Sequence, residues 1–357
     1  MPIRKQWRDG GSAVALDRGL TDYDQALGAP PGAGGTFGTL LHTGFEWVLA
    51  ESPGPVIPIS SLSQLQANLS QSGALLDLGG NTIDIGSQVE LPANAQMTTI
   101  QNGIITGGRT YKSNTSKWRL RNLEIAFGNS TYEDNIKGEG GGGYDIVGCN
   151  IHNAARQGIL LYPHDDVVVR NCRVHRNGTP ALVNQDHGIY TGQGSRFLIY
   201  NCIFYRNVAY GAQLYPHYHG GLVVCCTFYG SVNRGGVVIG SEGVDVLSNV
   251  TLIGCISSDS PWWGYESYNA YTGVTISDCL GWNNGNGDFD SGTWTISGSV
   301  HGNPLYVDAA NDNFALQAGS AAKGIIRPSL YPYVPATDIN GVTRTLANVA
   351  AGAHVAA

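Results

Sequence analysis

The stretch "VVRNCRV" (168–174) runs apolar, polar corner, cysteine, apolar, and thirty residues later "LIYNCIF" (198–204) repeats the pattern. The same frame returns in "IVGCNI" (146–151), "LVVCCTF" (222–228), "TLIGCIS" (251–257) and "TISDCLG" (275–281). Cys149, Cys172, Cys202, Cys226, Cys255 and Cys279 are therefore separated by 23, 30, 24, 29 and 24 residues. "LRNLEI" (120–125) fits with Leu123 in the cysteine's place. A period of about 20 to 30 residues built from strand-length pieces marks a solenoid of stacked parallel strands. Equivalent side chains of successive coils then lie ~4.8 Å apart, and a small apolar thiol suits an interior stack. These six cysteines are expected to be buried, reduced and unbridged. No CxxC or HxxxH spacing points to a metal.

A second register follows each cysteine strand: "QGILLY" (157–162), "HGIYTG" (187–192), "YGAQLY" (210–215), "GGVVIG" (235–240) and "WGYESY" (263–268). Alternation along a strand sends Ile159, Leu161, Ile189, Thr191, Ala212, Leu214, Val237 and Ile239 inward. One outward row then holds Leu160, Tyr190, Gln213, Val238 and Glu266, joined by Lys137 of "DNIKGEG" (134–140). The next holds Tyr162, Gly192, Tyr215, Gly240 and Tyr268.

Composition agrees with an all-β chain. Charged residues are 13% and glycine is 50 of 357, which favours strands joined by tight corners over a helical bundle. A net charge of −7 and pI near 5.7 exclude a nucleic-acid binder, which needs clustered Lys and Arg. The charged N-terminal stretch "MPIRKQWRDGGSAVALDRG" is not a secretory signal, and no apolar run is long enough to span a membrane. Export by the general secretory route is therefore not expected.

The expected organisation is an N-terminal arm over 1–50, a parallel β-helix over 51–335 and a C-terminal tail over 336–357. "SSLSQLQANLSQSG" (60–73) suits a capping helix, and 74–91 and 98–108 suit the first coils. "SKWRLRN" (116–122) suits a strand with a wet face, and "GEGGGGYD" (138–145) a corner loop without the lysine of a phosphate cradle. The apolar "FGTLLHTGFEWVLA" (37–50) lacks a repeat of its own, so the arm is expected to contact another subunit or protein.

On this repeat pattern the chain resembles, over roughly residues 55 to 330, the pectate-lyase-like superfamily of right-handed parallel β-helices. Its "GNPLYVDAANDNFALQAGSAAKG" (302–324) is similar to the closing segment of such proteins. The resemblance implies a long glycan lying along an exposed sheet, in a superfamily of polysaccharide lyases, glycoside hydrolases, sugar epimerases and phage tailspikes. "LLYPHDD" (160–166) resembles the "DPH" turn of mannuronan C5-epimerases, with His164 at the matching histidine. Tyr162 stands where that family has an acid, and Ile159 where it has a tyrosine. Tailspikes pair a particle-binding segment with a β-helix, so the resemblance also implies a virion-surface location, other virion proteins as partners of 1–50, and a homo-oligomer. A bacterial cytoplasmic or non-classically exported enzyme is the alternative. No cofactor, metal, nucleic acid or membrane partner is expected.

Elimination beside a uronate needs a group that neutralises the carboxylate and a base near the C5 proton. The candidate catalytic residues are His187 and Tyr190 for proton transfer and Arg156 for neutralisation, with Gln213 as its alternative. Lys137, Tyr162, His164, Gln213, Tyr215, His217, Trp263 and Glu266 are candidate substrate-binding residues. Bland readings stand beside these. The two "LYPH" turns (161–164, 214–217) also suit a repeated corner fixed by proline, and Asp186 suits a backbone cap. Glu242, Asp165 and Asp166 share no rung, so no carboxylate pair for hydrolysis is legible. Lyase, epimerase and non-catalytic virion protein all remain open.

Overall fold

In a computed structural model, which describes residues 45–126, 133–181, 184–242, 246–269 and 271–357, each coil contributes strands to three parallel ladders. The first ladder has nine strands, among them Ile136–Gly138, Ile159–Leu161, Ile189–Thr191, Ala212–Leu214, Val237–Ser241 and Trp263–Asn269. The second includes Gly141–Val147, His164–Arg170, Ser195–Tyr200, His219–Val224 and Leu247–Ile253. The third includes Asn150–His152, Arg173–His175, Ile203–Tyr205, Thr227–Tyr229 and Ile256–Ser258. A parallel β-solenoid of about nine turns results.

The cysteine register holds. All seven thiols are free and buried, and Leu123 extends their stack at 1% exposure. The backbone N–H groups of Cys149, Cys172 and Cys202 each point at the sulfur one coil on, at 3.4, 3.4 and 3.5 Å. Cys255 does the same to Cys279 at 3.3 Å. A parallel polar stack lines another corner: Asn177 N–H donates to Asn207 Oδ1 at 3.2 Å, and Asn207 Nδ2 to the Val174 carbonyl at 2.9 Å. Corner amides that would be orphaned in a dry core are thereby satisfied. At the N-terminal end the helix Leu62–Asn68 covers the first coil, with Ser61 accepting from Gln64 N–H at 3.3 Å and Leu65 and Leu69 buried.

Two local expectations are corrected. "GEGGGGYD" is no corner loop, because Gly141–Val147 is a buried strand paired on both sides. Its glycines permit close packing: a Cβ on Gly141 would lie 2.2 Å from the Asn114 carbonyl oxygen. "SKWRLRN" is a strand, but Arg119 is not on a wet face. It is 1% exposed, pairs with Asp145 at 2.6 Å and donates to the Ala50 and Val48 carbonyls at 3.1 and 2.6 Å.

That pairing fixes the start of the described chain on the second ladder, where Phe45 and Val48 are buried beside Val168, Leu198, Tyr200, Val224 and Ile253. The rest of the proposed arm, residues 1–44, lies outside the described residues. The C-terminal segment covers the same face with Ile326, Leu330, Tyr331, Val334 and Val349. The hairpin of Tyr306–Asp308 and Asn313–Leu316 packs Phe314 against Tyr205 on the third ladder. Residues 336–357 are thus a packed strap, with Arg344 2% exposed and bound to Asn201 at 3.3 Å and the Gly352 carbonyl at 3.0 Å. Among the described residues these segments pack on the other two ladders, and on the first ladder the outward Leu160, Tyr190 and Gln213 stay half-buried.

Candidate functional site on the open ladder

The register of the first ladder builds the outward rows as alternation predicted. Lys137, Leu160, Tyr190, Gln213, Val238 and Glu266 are consecutive partners. In the next row Gly192 follows Tyr162 and precedes Tyr215, and Gly240 pairs with Tyr268. The bare glycine positions let rings from either side lean together. Tyr190 meets Tyr162 with centroids 5.6 Å apart, and Tyr215 meets Tyr268 edge-on at 5.8 Å. Glu242, just past the Val237–Ser241 strand, is exposed, and its charge raises the phenols of Tyr215, Tyr162 and Tyr190. Burial first, then Tyr162 and Glu242, raise the Tyr190 phenol to about 12. Tyr190 is therefore a proton donor at neutral pH rather than a base.

The second cluster sits at the strand entrances. Tyr210 Oη donates to Glu266, and the Arg234 guanidinium lies 4.8 Å over Trp262. Trp263, half-buried, fills the space beside Gly287, whose Cβ would meet its ring at 2.5 Å. Lys137 is half-buried, 3.1 Å from Glu139 and 6.0 Å over the Tyr111 ring.

Several candidates are placed differently from expectation. His187 does not swing outward: it is 1% exposed, stacks on Tyr210 at 5.8 Å, and its Nδ1 accepts the Tyr210 N–H at 3.3 Å. Burial, then Arg156, lower its pKa to about 3, so the ring is neutral. Arg156 is not aimed at a ligand, since Asp186, Glu133 and Gln185 take its guanidinium at 2.5, 3.3 and 3.0 Å. Asp186 also caps Thr179 N–H at 2.7 Å. His164 is 1% exposed beneath its turn, its Nδ1 donating to the Asp165 carbonyl at 2.9 Å, and burial holds its pKa near about 3. The His217 ring bonds Ser241 Oγ at 2.9 Å. Both "LYPH" segments are repeated corners whose histidines serve the turn.

The residues that meet on the open face are therefore Tyr162, Tyr190, Gln213 and Tyr215, with Lys137 and Glu266 towards the two ends of the row. Sequence reasoning missed Glu242 as a member of the cluster and Tyr210 as the partner of Glu266. The signal for Tyr210 was its place in the same column as His187 and Trp263. Glu242 follows the strand in "IGSEG", where no register assigns it a rung.

The family described as "Right handed beta helix region" matches residues 134–303, just under half of the chain. The solenoid is a right-handed β-helix. No curated protein sequence matches the chain. Among solved structures, this β-helix is similar to pectate lyase Pel9A at 13% identity, TM-score 0.56, over 86% of this chain and 97% of that one. An alginate lyase from Paenibacillus sp. str. FPU-7 shares 14% identity, TM-score 0.43, over 68% of this chain and 97% of that one. ORF18 of Geobacillus virus E2 shares 12% identity, TM-score 0.41, over 64% of this chain, which spans 52% of that protein's length. At these identities the likeness is one of fold.

Proposed function

We propose that this β-helix binds an extended polysaccharide along the open first ladder, through Tyr162, Tyr190, Gln213 and Tyr215. The observation that carries the reading is the concentration of half-buried rings on the ladder face that none of the described end segments covers. Aromatic faces stack on sugar rings, and Gln213 with the phenols offers donors and acceptors for hydroxyls. The site favours binding over β-elimination: Arg156 is fully engaged, His187 is sealed beneath Tyr210, and Tyr190 keeps its proton. Titration with a panel of oligosaccharides should give saturable binding that Tyr190→Ala and Tyr215→Ala weaken about tenfold or more. Absence of binding to any neutral, acidic or basic glycan overturns the reading. Release of an unsaturated uronate product would instead restore the lyase.

A finer reading places the protein on a virus particle, as a tailspike-like or surface component. It is supported by the docking of Phe45 and Val48 on the second ladder, away from the glycan face. Mass spectrometry of purified particles tests this, and absence of the chain there removes it.

A further inference from the structure

We propose that Arg234, stacked on Trp262 beside the tyrosine row, is an oxyanion subsite that receives an acidic substituent projecting sideways from the bound glycan. The inference rests on the glycan-binding reading above and adds a second point of contact and the charge of the ligand.

Cations beside the open ladder are spent on the protein itself, with one exception. Arg109 donates to Gln88 at 2.7 Å, Lys137 lies 3.1 Å from Glu139, and Arg156 lies 2.5 Å from Asp186. Among the described residues, no acceptor takes a hydrogen bond from Arg234 and no carboxylate pairs with it; its guanidinium lies 4.8 Å over the Trp262 ring instead. Glu266, the carboxylate of the same cluster, accepts from Tyr210 Oη. Leu182 and Val183, which follow the nearby Pro180 in sequence, carry no charge.

The unspent groups here are all donors. Arg234 Nε and Trp262 Nε1 are closed off from solvent and hold no partner, whereas the terminal Nη groups of the half-buried arginine stay open. A folded protein leaves few such donors unmatched, and neither a guanidinium nor an indole can accept. Stacking on the indole holds the planar fork in one orientation, suited to two parallel bonds to an oxyanion. The corner that carries it is fixed as well. Ser231 Oγ donates to the Gly235 carbonyl at 2.8 Å, and Asn233 Nδ2 donates to the Pro180 carbonyl at 2.9 Å.

This subsite is continuous with the glycan face. Trp262 packs in one apolar cluster with Ala209, Tyr210 and Val238, and Val238 is the rung after Gln213 in the outward row. A sugar over Gln213 and Val238 therefore has Arg234 to its side, at the strand entrance. A neutral hydroxyl there would take one donor and leave the charge uncompensated. A carboxylate, sulfate or phosphate group takes two donors and the charge together.

The test is calorimetric titration of the full chain with cellotetraose and with its forms carrying a single 6-carboxylate, 6-sulfate or 6-phosphate. At least one acidic form should bind about tenfold tighter than the neutral form, on the usual scale of charge-assisted hydrogen bonds, and added salt should narrow the gap. The acid with the largest gain identifies the substituent. Arg234→Gln should bring the acidic and neutral forms within about twofold and leave affinity for the neutral form unchanged. Arg234→Lys, which keeps the charge and loses the planar fork, should retain an intermediate preference. Equal binding of all four forms, or a preference that survives Arg234→Gln, overturns the oxyanion subsite and leaves glycan binding in place. Failure of all four to bind overturns the subsite, and glycan binding too if the wider panel also fails.

Discussion

The Tyr210 backbone N–H donates to Nδ1 of His187 across 3.3 Å, and the two rings stack with centroids 5.8 Å apart. This pair turns the histidine of "DHGIYTGQG" (186–194) from a reagent into a fastener between adjacent coils. His187→Ala should therefore lower stability by roughly 1–3 kcal/mol, because it leaves a buried N–H without its acceptor. Glycan affinity measured well below the melting temperature should change by less than about threefold. A large loss of affinity or turnover with unchanged melting would restore His187 to the ligand site.

Acid sensitivity follows from buried imidazoles. Burial is the largest cause holding His164, His175 and His187 at about 3 and His354 at about 4. Their folded values lie below the ordinary value near 6.5, so the unfolded chain binds more protons as pH falls through that value. The imidazole contribution is fully present above about pH 6.5 and declines progressively towards pH 4. Asp134, raised to about 6 by burial, acts in the opposite sense, as do Asp166 and Asp278, also raised by burial, because protonation relieves the burial of a carboxylate. The four imidazoles, displaced from 6.5 to about 3 or 4, outweigh the three carboxylates and make the net slope positive with pH in this range. Melting followed by circular dichroism should show a midpoint that falls as pH drops below 6.5, and a midpoint that rises on acidification would contradict this account.

The cysteine ladder gives a third expectation. Cys202 has neighbours at 3.4 and 3.5 Å on the two adjacent coils and no exposure. Cys202→Ser should destabilise by ~1–3 kcal/mol through a buried hydroxyl with poorer partners. In the native protein none of the seven thiols should react with a soluble disulfide reagent, and all seven should react after unfolding. Fast reaction of any of the six ladder thiols at native conditions would mean the register is wrong.

Periodicity made the ladders legible. "VVRNCRV" and "QGILLY" alternate in ways that leave one register, and that register assigned Tyr190 and Gln213 to the outward row. What the pattern could not convey was compensation by distant chain. Arg119 looked solvated because the Val48 and Ala50 carbonyls that cover it come from about 70 residues earlier. Lys112 occupies an inward position, where the Asn114 and Gly142 carbonyls receive its ammonium. His187 looked outward for a related reason. Its column is decided by the ring of Tyr210 one coil on, not by alternation within its own strand.

A fourth prediction concerns the spacing of the rings. Gly240 sits between Tyr215 and Tyr268 in the outward row, and a Cβ there would lie 1.9 Å from the Tyr268 carbonyl oxygen. That contact is with backbone of the neighbouring strand, so no side-chain rotation relieves it. Gly240→Ala should separate the two coils locally, cost at least ~2 kcal/mol by the usual scale of overpacking, and disturb the edge-on pairing of Tyr215 with Tyr268. Melting and glycan titration of this variant should both change. Unaltered melting would show that the coils are looser than the ladder register implies.

The strap yields the last prediction. Val168, Leu198, Tyr200, Val224 and Ile253 point outward from the second ladder, a face that alternation alone would leave to water, and they are buried by Ile326, Leu330, Tyr331, Val334 and Val349. Arg344 anchors the far part of the strap, donating to the Ala350 and Gly352 carbonyls and to Asn201 on the solenoid at 3.0, 3.0 and 3.3 Å. A chain ending after Gly324 would expose the part of that face not covered by Phe45 and Val48, an apolar surface of the kind that drives association, while the inner core and its cysteine ladder stay closed. Truncation should therefore give a protein that retains its β-sheet circular dichroism but self-associates, and Arg344→Met should show a weaker form of the same behaviour. Detergent should return the truncated chain to the monodisperse state. If the truncated chain instead loses its sheet signal altogether, the strap is part of the cooperative folding unit rather than a cover added to a self-sufficient solenoid. If it stays folded and does not self-associate, the outer apolar row is not the reason the strap exists.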